Sequence, residues 1–161
     1  MRNLPLRIMA IIALLLTMMS CTDHLPQENL VSAWSSPAGE NSVSPNLSLD
    51  LNGMPILSWL KVAQGSVALE YARWRGDEWS APIIIASGNN WLVNRADFPS
   101  VVQLNESLWA AHWLVMTDPS VFAYDVFISL SRDGGITWEP SFKPHTDGTF
   151  TEHGFVSFFT E

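Results

Sequence analysis

The feature that most constrains this 161-residue chain is an internal repeat with a period near 55 residues. Trp59 and Trp113 lie 54 positions apart in similar apolar runs, and a glycine three residues before a tryptophan recurs at 76–79 and at 135–138. A repeated unit of this size cannot bury its apolar face alone, so consecutive copies must pack against one another. The chain is therefore expected to be an array of small, similar units.

Each repeat contains about four short apolar runs separated by turn residues such as Asn-Gly and Asp-Gly-Gly. Apolar and polar residues alternate within these runs, which predicts antiparallel strands joined in meanders. The expected strands are 45–51, 55–61, 66–74 and 79–86, then 99–104, 108–115, 122–130 and 137–143. Four strands per repeat is typical of a β-propeller blade. We therefore predict an all-β fold with almost no helix beyond an N-terminal signal helix.

The first 20 residues have the pattern of a secretory signal. Two arginines precede an apolar run at 8–19, which is too short to span a bilayer as a helix. The run ends in Met18-Met19-Ser20-Cys21, which resembles a bacterial lipobox. The resemblance implies a lipoprotein signal peptide at 1–20, lipidation of Cys21 and, because Thr22 follows, an outer-membrane location. An ordinary signal peptide with an incidental cysteine is the alternative.

Composition excludes several classes of protein. The net charge is −8 and no cluster of Lys or Arg occurs, so a nucleic-acid partner is not expected. One cysteine rules out an intramolecular disulfide framework and a cysteine-based zinc site. Residues 21–44 are rich in Ser, Pro, Asn and Gly without periodicity, which predicts a flexible tether. No cofactor is expected.

The clearest motif is the segment 131–138, Ser-Arg-Asp-Gly-Gly-Ile-Thr-Trp, which falls on a predicted hairpin. It matches the pattern S-x-D-x-G-x-T-W and resembles the Asp box of sialidases and related repeat proteins. In such a turn the aspartate can accept backbone N–H bonds, the glycine can take a positive φ, and the tryptophan can pack beneath the loop. Family boxes lie at the rim of the propeller, so the resemblance implies a structural role for Ser131, Asp133, Gly135, Thr137 and Trp138.

The resemblance to the sialidase-like (Asp-box repeat) β-propeller family covers residues 45–161. It implies a partial propeller with blade one at 45–86, blade two at 99–143 and the first strand of blade three at 154–161. Sialidases close with six blades, so this bacterial lipoprotein member is expected to be a truncated N-terminal fragment. Assembly from several copies is the alternative.

Two carboxylates are the candidate catalytic residues. Asp97 and Glu152 are 55 positions apart and occupy the same place in consecutive repeats, in the loops that enter the innermost strands. Neighbouring blades would each present one carboxylate, an arrangement suited to general acid/base work on a glycosidic bond. The competing interpretation is that both residues cap turns.

The loop at 144–154 is the densest polar segment of the chain. His145, Asp147, Glu152 and His153 lie within nine residues, although the whole chain has four histidines. We expect a sugar or substrate site formed by His145, Asp147 and His153. One alternative is a polar loop whose side chains bond only to one another. The other is a divalent-cation site that also includes Glu152, but we do not expect a metal here.

Three further residues are substrate-binding candidates. Arg95 suits the carboxylate of an acidic sugar, and Asn94 lies beside it in the same loop. His112 lies on a central strand, where a hydrogen-bonded core histidine is the alternative. The family uses three arginines, an Asp acid/base and a Tyr–Glu pair. Asp97 takes the acid/base place by position, and the remaining set has no match within these 161 residues.

The sequence thus predicts a sialidase-like, exo-glycosidase-type lipoprotein that handles glycans in the cell envelope and is inactive as this fragment. A non-catalytic propeller that binds glycans or proteins is the second hypothesis. A metal-dependent enzyme, whose activity a chelator would abolish, is the third.

Overall fold

The structure, a computed structural model, describes residues 33–159 and contains two antiparallel β-sheets of four and three strands that do not close into a ring. No helix occurs between residues 33 and 159, which confirms the all-β prediction for that part of the chain. The same residues provide no helix long and apolar enough to cross a membrane. The predicted signal helix, Cys21 and most of the tether lie outside the described residues.

The first sheet follows the chain in order. It consists of β1 (Ser42–Leu49), β2 (Pro55–Ala63), β3 (Ser66–Arg73) and β4 (Ile83–Gly88). β1 begins inside the segment predicted as tether, and its register shifts between Val43 and Asn46. Pro45 lies at this irregularity, where the missing N–H of a proline is tolerated.

The second sheet repeats the first three strands of this arrangement. It consists of β5 (Ser100–Gln103), β6 (Trp109–Asp118) and β7 (Ala123–Ser131), again in chain order. Trp59 is the fifth residue of β2 and Trp113 is the fifth residue of β6. The tryptophan spacing in the sequence therefore corresponds to equivalent positions in the two central strands.

The core lies where the two sheets meet. Tyr71 of β3 packs against Trp109 of β6 with ring centroids 5.7 Å apart, and Ser48 of β1 donates a 2.6 Å hydrogen bond to the Val101 carbonyl of β5. The buried apolar side chains of this cluster are Ile56, Leu60, Val67, Leu69, Tyr71, Val101, Trp109, Ala111 and Trp113. The contact between consecutive sheets is what a repeated four-stranded unit requires.

The predicted fourth strand of the second repeat, 137–143, is wrong. Phe142 alone forms a bridge to Ile128 of β7, with both backbone bonds at 2.9 Å. In an antiparallel ladder the next positions facing β7 would be 140 and 144, and both are prolines, which have no N–H to donate. The segment therefore follows β7 irregularly, held by isolated bonds.

Other strand boundaries differ from the predictions by a few residues, and two differences are larger. β4 begins at Ile83 rather than at 79, because Pro82 interrupts the run and Trp79 instead bridges to Trp74. The strand predicted to open a third blade at 154–161 does not form within the described residues 154–159.

Candidate functional site

The backbone pairing at the start of β7 determines which polar side chains meet. The Tyr124 N–H donates to the Thr151 carbonyl at 3.1 Å, and the His153 N–H donates to the Tyr124 carbonyl at 2.9 Å. Glu152 thereby lies beside Tyr124 in a parallel bridge. Because successive side chains of extended backbone point to opposite faces, Tyr124 and Glu152 share one face, and Asp125 and His153 share the other. Two polar centres form on opposite sides of one bridge.

The first centre, here called the Tyr124 centre, comprises Asp97, Tyr124 and Glu152. The Tyr124 hydroxyl lies 3.3 Å from Asp97 Oδ2 and 3.2 Å from Glu152 Oε2. The Phe155 N–H donates to the other Asp97 oxygen at 3.0 Å. Tyr124 is 1% exposed and Asp97 4%, whereas Glu152 is exposed. The structure thus brings the two predicted carboxylates to one buried hydroxyl.

A glycine makes this close approach possible. A methyl group on Gly154 would overlap the Asp97 carboxylate, with Asp97 Cγ at 2.8 Å and Tyr124 Cε2 at 3.0 Å. A side chain at position 154 would therefore push Asp97 away from the tyrosine. Gly154 and Phe155 therefore belong to the centre through their backbone, Gly154 by its lack of a side chain and Phe155 by its N–H.

The hydroxyl of Tyr124 is neutral at ordinary pH. Burial first, and then the negative charges of Asp97 and Glu152, raise the pKa of Tyr124 to about 12. A neutral phenol carries one proton, so it donates to one of the two carboxylates at a time. The arrangement can pass a proton between Asp97 and Glu152.

The second centre, here called the histidine cluster, comprises Asp125, His145, Asp147 and His153. Asp147 lies 2.9 Å from His145 Nδ1 and 3.1 Å from His153 Nε2. The opposite nitrogens approach Asp125 Oδ1, His145 Nε2 at 3.4 Å and His153 Nδ1 at 3.2 Å. The two imidazole rings stack with centroids 3.8 Å apart, and Lys143 contacts Asp125 Oδ2 at 3.1 Å.

Hydrogen bonds keep Asp147 ionised. The Thr149 hydroxyl, followed by His145 and His153, holds the pKa of Asp147 well below its usual range. Of the four residues considered from sequence as a cation site, Glu152 is bound to Tyr124 on the other face of the bridge. Asp125 takes its place among the groups that could hold a metal ion.

Asn94 and Arg95 lie in the loop that leads to Asp97. The Asn94 side-chain oxygen accepts the Ala96 N–H at 2.9 Å, and the Asn94 main-chain carbonyl accepts the Ser44 hydroxyl at 3.1 Å. Asn94 therefore shapes the loop, whereas Arg95 is exposed on it. Neither contact requires a ligand.

His112 is a core residue in the structure. It is 2% exposed, and its Nδ1 lies 2.9 Å from the Ser100 hydroxyl. Burial lowers the pKa of His112 to about 4, so the ring is neutral at physiological pH. The environment fits the core alternative rather than direct contact with a substrate.

The Asp-box loop lies at the other end of β7, roughly 24 Å along the strand from Tyr124 at 3.4 Å per residue. Asp133 accepts the Ile136 N–H at 3.0 Å, the Thr137 N–H at 2.9 Å and the Thr137 hydroxyl at 2.6 Å. These hydrogen bonds, of which the one from the Thr137 hydroxyl has the largest effect, lower the pKa of Asp133 to about 2. All of these bonds are internal to the turn.

The same loop contacts the first sheet. The Gly135 N–H donates to Ser131 Oγ at 2.9 Å, and the Gly135 carbonyl accepts the Tyr71 hydroxyl at 2.6 Å. Gly135 has φ 88°, and a methyl group there would collide with Tyr71. Trp138 meets Tyr71 edge-on at 6.1 Å. The loop therefore joins consecutive repeats and lies far from both polar centres.

Sequence reasoning missed two residues of these centres, Tyr124 and Asp125. The available signal was their position: one of the two tyrosines in the chain is followed by an acid at the start of a predicted strand. Their partners depend on a pairing with residues 151–153 that no local pattern reveals. Comparison with known proteins finds no family profile, no curated protein and no solved structure that matches this chain.

Proposed function

We propose that this protein handles glycans through the Tyr124 centre, with exo-glycosidase-type chemistry of the sialidase-like kind. The proposal departs from the sequence-based expectation of an inactive fragment, because Asp97, Tyr124 and Glu152 meet within the described residues. The observation that carries the proposal is a single buried hydroxyl within hydrogen-bonding distance of two carboxylates, Asp97 and Glu152.

The three groups have different exposure and therefore different roles. Glu152 is exposed, so it is the group that meets the substrate and, when protonated, gives its proton to the glycosidic oxygen. As the glycosidic bond breaks, a water molecule bonds to the anomeric carbon and gives a proton back to Glu152. The neutral Tyr124 hydroxyl positions Glu152, and Asp97 holds that hydroxyl from the buried side.

An apolar surface beside Asp97 supports sugar binding. Phe98 and Phe155 line a cavity of about 140 Å³ together with Asp97, and Phe155 is 76% exposed. Aromatic faces stack on the apolar faces of sugar rings. The cavity is smaller than the roughly 300 Å³ of an ordinary ligand pocket, so it suits one portion of a sugar rather than a whole glycan.

The test is turnover of a panel of fluorogenic glycosides, including a sialoside. We expect Tyr124→Phe and Glu152→Gln each to lower kcat/KM by about 100-fold or more, because Glu152→Gln removes the proton donor and Tyr124→Phe removes the hydroxyl that positions it. Glu78→Gln, an exposed acid in the loop between β3 and β4, is the matched control and leaves turnover unchanged. No turnover by the unsubstituted protein, or full turnover by Glu152→Gln, would overturn the enzymatic proposal.

Glycan binding without turnover is the second candidate. The burial of Tyr124 and Asp97 favours it, because a substrate reaches only Glu152 directly. Calorimetric titration with the same sugars distinguishes the two: saturable binding that Glu152→Gln weakens, with no hydrolysis, supports this candidate. An unchanged heat of binding in that variant would rule it out.

We also propose that the protein is held at the outer membrane of a bacterial envelope by a lipid on Cys21. The support is the sequence pattern at 18–21. Metabolic labelling with an alkyne fatty acid should tag the protein and not Cys21→Ser, and equal labelling of both would exclude the anchor.

A further inference from the structure

We propose that Asp125, His145 and His153 form a binding site for a divalent transition-metal ion of the Zn²⁺ type. The site is independent of the glycan proposal, since it lies on the opposite face of the 151–153 bridge from the Tyr124 centre. Its three ligand atoms would be Asp125 Oδ1, His145 Nε2 and His153 Nδ1.

Two of the three distances between the ligand atoms fit tetrahedral coordination, and all three atoms lie within 4.8 Å of one another. In a tetrahedral zinc site with bonds of roughly 2.0–2.1 Å, neighbouring ligand atoms are about 3.3 Å apart. Asp125 Oδ1 lies 3.4 Å from His145 Nε2 and 3.2 Å from His153 Nδ1. Two imidazoles and one carboxylate leave a fourth position open, as in metal sites that bind water or a substrate.

The hydrogen bonds of the two imidazole rings to Asp147 leave two nitrogen lone pairs directed at Asp125, where a cation could bind. Asp147 is an acceptor only, so His145 Nδ1 and His153 Nε2 carry the protons that face it. In the neutral rings the opposite nitrogens then present lone pairs toward Asp125, and both are buried atoms with no hydrogen bond. Acceptors that converge on a carboxylate are stabilised by a positive charge between them.

The surroundings resemble the outer layer of known metal sites. A carboxylate behind a ligating histidine fixes its tautomer and its orientation, and Asp147 does this for both rings. Lys143 binds Asp125 Oδ2 and leaves Oδ1 directed at the histidines. Because each lone pair lies in its ring plane, metal binding would open the rings from their 19° stacked arrangement.

The competing explanation is a metal-free cluster in which both rings are protonated and pair with the two aspartates. It places two positive rings 3.8 Å apart, which the flanking carboxylates would have to compensate. The two explanations differ in one respect that can be measured, the uptake of a metal ion.

The experiment is a calorimetric titration of chelator-treated protein with Zn²⁺, repeated with Co²⁺ and followed by visible absorption. We expect one ion per chain and the absorption of tetrahedral Co²⁺. His145→Gln and His153→Gln should each weaken Zn²⁺ affinity by about 100-fold, and Asp147→Asn by about 10–100-fold through loss of the supporting carboxylate. Asp77→Asn, an exposed acid in the loop between β3 and β4, is the control and keeps the affinity of the unsubstituted protein.

A footprint on the unsubstituted protein covers the case in which a variant does not fold. Zn²⁺ should protect His145 and His153 from diethyl pyrocarbonate, as mapped by mass spectrometry. Absence of saturable Zn²⁺ binding, unprotected histidines at saturating Zn²⁺, or unchanged affinity in folded His145→Gln and His153→Gln would each overturn the proposal. Loss of glycoside turnover with intact Zn²⁺ binding bears on the Tyr124 centre alone.

Discussion

At the residue scale, Gly154 controls whether the Tyr124 centre can assemble. Its hydrogen occupies the position next to Asp97 where any side chain would overlap the carboxylate. The neighbouring N–H of Phe155 then reaches the other Asp97 oxygen. One small residue thus allows a backbone donor, a buried acid and a buried hydroxyl to meet.

We predict that Gly154→Ala lowers the free energy of unfolding by about 1–3 kcal/mol, because the added methyl group must displace Asp97 or Tyr124. Urea unfolding followed by tryptophan fluorescence measures the change. Gly39→Ala is the matched control, since its methyl group would meet only the flexible Lys61 ammonium at 3.4 Å. Equal stability of Gly154→Ala and the unsubstituted protein would show that Asp97 is not held as described.

At the element scale, β7 carries a different kind of site at each end. Its first residues, Tyr124 and Asp125, belong to the two polar centres, and its last residue, Ser131, begins the Asp-box loop. The loop reaches the first sheet through the bond from Tyr71 to the Gly135 carbonyl. β7 therefore links the packing between repeats to the position of the candidate site.

Removing that bond should weaken the contact between the sheets. We expect Tyr71→Phe to cost about 1–3 kcal/mol in the free energy of unfolding, because the Gly135 carbonyl loses its partner in a buried environment. Thermal unfolding in the calorimeter measures it. Ser87→Ala, an exposed hydroxyl on β4, should change stability by less than about 0.5 kcal/mol. A similarly small effect of Tyr71→Phe would mean that the bond does not join the repeats.

The strands at the centre of each sheet could be predicted from sequence because their signal is local. The apolar runs around Trp59 and Trp113 specify the strands, and in β3 the alternation of Val67, Leu69 and Tyr71 with polar or small residues also specifies the buried face. The segment beside β7, residues 137–143, could not be predicted in the same way. Apolar residues suggested a strand, but Pro140 and Pro144 remove the donors that a ladder needs, and this effect depends on which edge they face.

The candidate site was predictable only in part for a similar reason. The repeat spacing placed Asp97 and Glu152 in equivalent loops, and the structure brings both to Tyr124. The choice of Tyr124 and Asp125 as partners depends on one long-range pairing between β7 and residues 151–153. A shift of that pairing by one residue would exchange the two faces, so composition alone cannot assign them.

At the scale of the whole molecule, buried titratable groups set the pH range of stability. His112 is neutral in the folded protein, with a pKa of about 4, and both tyrosines are held protonated, with pKa values of about 12. For Tyr71, burial is the main cause of the raised pKa. Each of these groups is held neutral in the folded protein. Stability therefore falls at any pH where the same group becomes charged in the unfolded chain but not in the folded one.

We therefore predict a plateau of stability between about pH 6.5 and pH 10. Below it, the unfolded chain protonates His112 before the folded protein does, so stability is lost as pH falls toward 4. Above it, the tyrosines ionise in the unfolded chain before they do in the folded protein. Each tyrosine then lowers the free energy of unfolding by roughly 2–3 kcal/mol by pH 12. Denaturant titrations across pH measure this, and Tyr71→Phe should flatten the alkaline decline. Constant stability from pH 10 to 12 would contradict the assigned burial.

The most direct test of the central claim uses the fact that the chain has two tyrosines. Protein labelled with 3-fluorotyrosine should give two ¹⁹F signals, and Tyr71→Phe assigns them. We expect Glu152→Gln and saturation with sialic acid both to shift the Tyr124 signal and to leave the Tyr71 signal in place. A Tyr124 signal that responds to neither change would show that its hydroxyl is not part of a glycan-handling carboxylate centre.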